Sequence, residues 1–136
     1  MFRTFERHGV RYVLMGEFAA ALHGADLRAA STDCCPARDV ANLERLADAL
    51  NELAATPRSE PALADTLWDA GMLSQVDGLD LATRVGDLSI GFTPAGTGGY
   101  EDLARVAEPY DLEDLIVPVA SLDDLINAAG TSLKCK

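Results

Sequence analysis

The segment Arg11-Tyr-Val-Leu-Met15 is a short run of β-branched, aromatic and long apolar side chains, closed by Gly16 directly before the alanine-rich stretch Phe18 to His23. Apolar residues in a run of this length, punctuated by glycine and followed by good helix formers, specify a strand, a tight turn and a helix. A chain that opens this way is committed to mixing helices with a sheet. The rest of the sequence agrees. A second apolar strip from about Ala29 to Cys35 stops at Pro36, which cannot continue a central ladder. Leu43, Leu46, Ala47, Leu50 and Leu53 then recur at helical spacing, with Asp39 and Asn42 as candidate N-caps.

Ser59, Glu60 and Pro61 open a further predicted helix through Trp68, closed by Gly71. Leu79 to Thr83 and Leu88 to Phe92 read as a hairpin around Gly86 and Asp87, with Leu88, Ile90 and Phe92 on one face and Asp87, Ser89 and Gly91 on the other. The glycine-rich loop Pro94 to Gly99 leads into a helix at Tyr100 to Ala107. Leu115 to Val119 is a last strand, and Ser121 with Asp124 starts a final helix ending at Gly130. The expected architecture is α/β or α+β, a mixed β-sheet of about 4–5 strands flanked by helices. No repeat divides the chain, so residues 1–136 are read as a single domain.

The charge balance narrows the function. With 22 acidic against 11 basic residues the net charge is −11 and the pI about 4.4. Phosphate backbones and anionic membranes both require a surplus of Lys and Arg, so neither direct nucleic-acid binding nor a membrane surface is expected. The 49% of hydrophobic residues suffice for a folded core, and no run is long enough to span a bilayer. The charged N-terminus and the odd count of three cysteines, two of them adjacent, point to a cytoplasmic protein without a disulfide framework.

The order of these pieces resembles the nucleotidyltransferase superfamily, in particular small bacterial minimal nucleotidyltransferases and the toxin-like proteins of type IV abortive-infection systems. The stretches that carry the resemblance are Arg11 to Gly24, Asp33-Cys-Cys-Pro36, Asn42-Leu-Glu-Arg-Leu-Ala47, Thr83-Arg-Val-Gly-Asp-Leu-Ser-Ile90, Pro94-Ala-Gly-Thr-Gly-Gly-Tyr100 and Val119-Ala-Ser-Leu-Asp-Asp-Leu125. The resemblance implies a single nucleotidyltransferase-like domain in which Gly16 lets a backbone and helix start approach a triphosphate. It also implies two metal-binding carboxylates at alternate positions of the second strand and a third on a neighbouring strand, because hard divalent cations take oxygen ligands. Here the first two positions fall on Ser31 and Asp33, and the third on Asp87 or Ser89. One or more of the family's carboxylates is therefore a serine. Glu17 stands where the family has a small residue, and two negative groups about 4 Å apart repel by roughly 4 kcal/mol at an effective dielectric near 20, which disfavours a triphosphate in the usual pose.

These departures lead to a scaffold whose metal-carboxylate set is incomplete and whose cleft is repurposed for a small-molecule ligand, with no cofactor. Glu17 and Asp33 would be its acid/base carboxylates, or the site would be a binding module. Gly16, Ser31, Cys35, Arg28, Arg38, Asp87 and Ser89 are the candidate ligand-binding residues. Adjacent strand residues face opposite ways, so Cys34 is assigned to the core and Cys35 to the cleft. The cysteines with His8 and His23 do not make a zinc site. The alternative is a working transferase, with Mg²⁺ held by Asp33 and Asp87 and ATP or another nucleoside triphosphate as donor to a protein, RNA or small-molecule acceptor. A non-catalytic protein that pairs with a partner or with itself is the third reading.

Overall fold

The computed structural model describes residues 1–22, 32–58, 67–94, 96–112 and 115–134, leaving aside the side chains at 17, 21, 112 and 129–134. It opens with a helix the sequence reading did not include, α1 (Phe2–His8). This helix closes on Gly9, whose left-handed backbone (φ 69°) turns its N–H back to the Glu6 carbonyl at 3.0 Å. The expected strand, turn and helix follow as β1 (Tyr12–Met15) and α2 (Gly16–Leu22), then β2 (Thr32–Pro36) and α3 (Val40–Glu52). Pro36 is the last paired residue of β2, opposite Tyr12. The leucine stripe of α3 is buried as its spacing demands, and Asp39 is the N-cap, its carboxylate accepting from the Asn42 N–H at 3.1 Å.

Asn42 is not a cap. It is fully buried, accepts from the Arg11 N–H at 2.7 Å and donates to the carbonyls of Arg11 at 3.0 Å and Ala37 at 2.7 Å. One amide thus stitches the start of β1 and the end of β2 to the first turn of α3.

The two-residue β3 (Thr56–Pro57) precedes residues 59–66, so the helix expected from Ser59 falls for the most part outside the described residues. Trp68, its expected last residue, is in irregular backbone and is held there by Asn51, which accepts from its N–H at 2.7 Å and donates to its carbonyl at 3.0 Å. Gly71, read as a helix stop, lies inside α4 (Ala70–Ser74), which Asp69 caps. The hairpin is β4 (Gly78–Thr83) and β5 (Gly86–Gly91). Its two-residue turn is Arg84-Val85, with Gly86 (φ 129°) already paired to Thr83. Helix α5 (Tyr100–Arg105) is followed by β6 (Glu108–Leu112), β7 (Leu115–Val119) and α6 (Leu122–Lys134), and α6 runs past Gly130.

Among the described residues the sheet has seven strands in the order β3-β4-β5-β2-β1-β7-β6, two or three more than expected. The additions are its edges. β3 is two residues long, and β6 carries Pro109, which an edge tolerates because one row of its backbone groups needs no partner. At the centre β1 is antiparallel to β2 and parallel to β7, while β2 is parallel to β5. The molecule is therefore α+β with a mixed sheet. Leu14, Cys34, Leu88, Ile90, Leu81, Val117 and Val119 are buried in one hydrophobic core with α1, α3 and α4, and Phe5 packs edge-on against Tyr12 with ring centroids 5.1 Å apart. No described helix is long and apolar enough to cross a membrane.

Candidate functional site

Strand register decides which candidates meet. In the ladder, Met15 of β1 is opposite Asp33 of β2, and Asp33 is in turn opposite Ser89 of β5. Cross-strand partners project to the same side, so Met15, Asp33 and Ser89 form a row across three central strands. Gly16 follows Met15 with φ 71°, and a Cβ built on it would lie 2.0 Å from Asp33 Oδ2. Asp33's carboxylate thus rests directly on the glycine backbone, in space that only a residue without a side chain leaves open. These residues line a cavity of about 280 Å³ together with Cys34, Ile90, Gly91, Pro94 and Ala128. Gly16, Asp33 and Ser89 are the sequence-predicted residues that come together there.

Asp87 and Ser89, the two candidates for the third carboxylate position, now separate. Ser89 is the residue opposite Asp33, and Asp87 is two positions back on the same face. Beside them stand two residues that the sequence reading missed, Asp80 of β4 and Arg58 just after β3. Ser89 Oγ donates to Asp80 Oδ1 at 2.9 Å and accepts from Arg58 Nη2 at 3.5 Å. Arg58 also reaches Asp80 at 3.3 Å and Asp87 at 3.3 Å. Asp80 was findable once Leu79 and Leu81 were placed on the core face, since it must then share the outer face with Ser89. Arg58 was not, because nothing in Thr56-Pro57 signals a strand.

The remaining candidates lie elsewhere. Cys35, expected in the cleft, is fully buried, and its thiol donates to the Phe92 carbonyl at 3.5 Å. Burial pushes this thiol up to about 12, so it carries no thiolate near neutral pH. Cys34 is buried in the core as expected, yet it, and not Cys35, is the cysteine that lines the cavity; its thiol is likewise pushed up by burial and then by the neighbouring Cys35 and Asp33. Arg38 donates to the carbonyls of Ser74 at 3.3 Å and Val76 at 2.8 Å, approaches Asp77 at 3.4 Å, and stacks over the Phe92 ring at 5.0 Å. It ties the connection from α4 to β4 to the end of β2 and does not line the cavity. The Gly96 to Gly99 loop is closed on itself, with Thr97 Oγ1 donating to the Pro94 carbonyl at 2.7 Å. Arg28, Ser31 and His23 fall outside the described residues, as does the side chain of Glu17, whose backbone is in the first turn of α2.

Among the described residues no donor set is assembled for a Mg²⁺ ion. Asp33 faces a hydroxyl, Asp80 and Asp87 are engaged by a guanidinium, and among the described residues no group of three His, Cys, Asp or Glu is placed to hold a metal. What the described residues offer is one carboxylate and one hydroxyl lining a small, largely apolar cavity. No family model, curated protein or solved structure matches the chain.

Proposed function

We propose that this protein is a divergent nucleotidyltransferase-like scaffold whose cleft binds a small molecule without a metal, with Asp33 as the carboxylate that meets the ligand. The observation that carries the reading is the row Met15, Asp33, Ser89 at one cavity, in which the partner of Asp33 is a hydroxyl instead of a second carboxylate. The strand, glycine turn and helix preceding Asp33 support the scaffold, since they stand in the order the resemblance implies. Arg58 supports the metal independence, because its charge compensates Asp80 and Asp87 where a cation would otherwise be required. An anionic group about 4 Å from Asp33 would be opposed by roughly 4 kcal/mol at an effective dielectric near 20, so a triphosphate is a poor occupant. If the site is catalytic, Asp33 is its general base or acid, with Glu17 on the adjoining helix turn as the second carboxylate.

The second reading is Mg²⁺-dependent nucleotidyl transfer. One arrangement favours it: Asp33, Asp80 and Asp87 lie on the same face of three adjacent strands, so withdrawal of Arg58 would leave three carboxylates there. Calorimetric titration with ATP and with GTP, in Mg²⁺ and then in chelator, separates the two. We expect no metal-dependent heat from the folded protein. Metal-dependent binding that vanishes in Asp33→Asn would replace the proposal with the second reading.

A further inference from the structure

We infer that a gap between β1 and β7 is a second binding site, for a small uncharged aromatic molecule that carries a hydroxyl. The two strands are neighbours in the sheet, yet their pairing is confined to Leu14 and Val119. There the Leu14 carbonyl accepts from the Ala120 N–H at 3.0 Å. Every second residue of a strand turns its backbone to the same neighbour, so the next carbonyl of β1 that faces β7 is that of Tyr12, and the donor due opposite it is residue 118. Residue 118 is a proline and has no N–H. The ladder stops, and a cavity of about 230 Å³ lies between the start of β1 and Leu115 to Pro118 of β7. It shares no lining residue with the Asp33 cavity, so the site is independent of the function proposed for that cleft.

The lining selects the ligand. Phe2, Tyr12 and Tyr100 bring aromatic rings to the cavity, and ring faces and edges favour a further ring. An apolar cavity of roughly 150 Å³ takes up benzene, so one ring with a small substituent suits this larger one. The polar demand comes from Tyr12. Only 7% of it is exposed, its hydroxyl makes no hydrogen bond among the described residues, and its carbonyl has no donor in the ladder. Burial holds its pKa above the ordinary tyrosine value, so the hydroxyl keeps its proton. A carbonyl that accepts beside a phenol that donates or accepts is matched by a ligand hydroxyl, which does both. The charged groups of the lining are one of each sign, Glu6 and Arg11, and Arg11 is already engaged by Asp39, so the cavity gives neither an anion nor a cation the advantage.

The test uses the full chain labelled at its isoleucine δ1 methyl groups, titrated at constant ionic strength with phenol, anisole, cyclohexanol, benzylamine and benzoate. Ile116 lines the gap, Ile90 lines the Asp33 cavity and Ile126 lines neither, so the three signals separate the two sites from the rest of the molecule. We expect phenol to shift the Ile116 signal saturably, with an affinity about fivefold or more above each other probe, and to leave Ile90 and Ile126 in place. Tyr12→Phe, which keeps the ring and the carbonyl, should reduce the advantage of phenol over anisole by about twofold or more. Pro118→Ala supplies the missing N–H. It should extend the ladder to Tyr12, show hydrogen-exchange protection at the new amide and lower phenol affinity by about tenfold with the fold intact.

Equal or tighter binding of anisole overturns the hydroxyl, of cyclohexanol the aromatic ring, and of benzylamine or benzoate the absence of charge. A phenol affinity unchanged in Pro118→Ala, or an advantage over anisole unchanged in Tyr12→Phe, overturns the assignment to the gap. A phenol response at Ile90 without one at Ile116 overturns this site as well and leaves the small-molecule reading of the Asp33 cavity standing. Silence of Ile116 towards all five probes removes the site.

Discussion

At the scale of single residues, the pair Gly16 and Asp33 determines what the cleft can be. The sequence marks Gly16 as a point of close backbone approach, and the group that approaches is the protein's own Asp33 carboxylate. Gly16→Ala would strain a backbone at φ 71° and place its methyl group 2.0 Å from Asp33 Oδ2, so we expect a loss of about 3 kcal/mol in chemical denaturation. Asp33→Ala removes Oδ2 and Cγ, the two nearest clashing atoms, so in the double variant the backbone strain and a residual contact of 2.9 Å with the Cβ of residue 33 should remain. The combined loss should then fall short of the sum of the single losses by about 1 kcal/mol or more, and strict additivity would show that the two do not touch. Cys35 shows where residue-level reading runs out. Alternation correctly puts Cys35 on the side of Asp33, but only one end of that face opens into the cavity. At the other end Phe92 closes over the thiol, a contact between residues 57 positions apart that strand period cannot reveal. Ser89 was legible as a departure from a carboxylate pattern, whereas its place opposite Asp33 needed the parallel register of β2 and β5.

At the scale of elements, what the sequence shows follows the strength of local signals. The α3 stripe, β1, β7 and the core face of β5 were readable because burial imposes their periods of 3.6 and 2. The edges were not. A strand of two residues has no period, and Glu108-Pro-Tyr-Asp-Leu112 has the composition of a turn while pairing with β7 along its full length. Helix α1 escaped for a related reason, since seven residues offer barely two turns and its strongest mark is the glycine that ends it. The turn of the hairpin was displaced because Gly86 draws attention as the turn residue, although the reversal is made at Arg84-Val85. Asn42 belongs to this scale, because its amide joins three elements. Asn42→Ala leaves the Arg11 N–H and the Ala37 carbonyl without the amide that pairs them, while the Arg11 carbonyl keeps the Ala37 N–H at 3.0 Å. We expect it to lower stability by about 3 kcal/mol with little change in the denaturant m-value, measured by urea unfolding; a loss below about 0.5 kcal/mol would mean that water replaces the amide freely.

At the scale of the whole molecule, the excess of acid groups is the dominant fact. Ion pairs such as Arg11 with Asp39 and Arg7 with Glu52 draw on a small supply of cations, and the remaining carboxylates repel one another. Raising NaCl from about 10 mM to about 500 mM shortens the Debye length below the spacing of most of these groups, so the melting temperature should rise by several degrees. A fall would mean that the few attractive pairs outweigh the repulsion.

The pairing of β1 with β7 also governs how the protein is made. Leu14 has Val119 as its neighbour in the ladder, and the two are separated by nearly the entire described chain. During synthesis the first central strand leaves the ribosome long before the strand that will flank it. Until then Val13 and Leu14 have an open side, and the growing polypeptide has an incomplete sheet with an apolar middle. Truncations upstream of β7 are therefore expected to be chaperone clients and substrates for proteolysis, and the native state should be reached late, in a single step that follows emergence of the C-terminal strand.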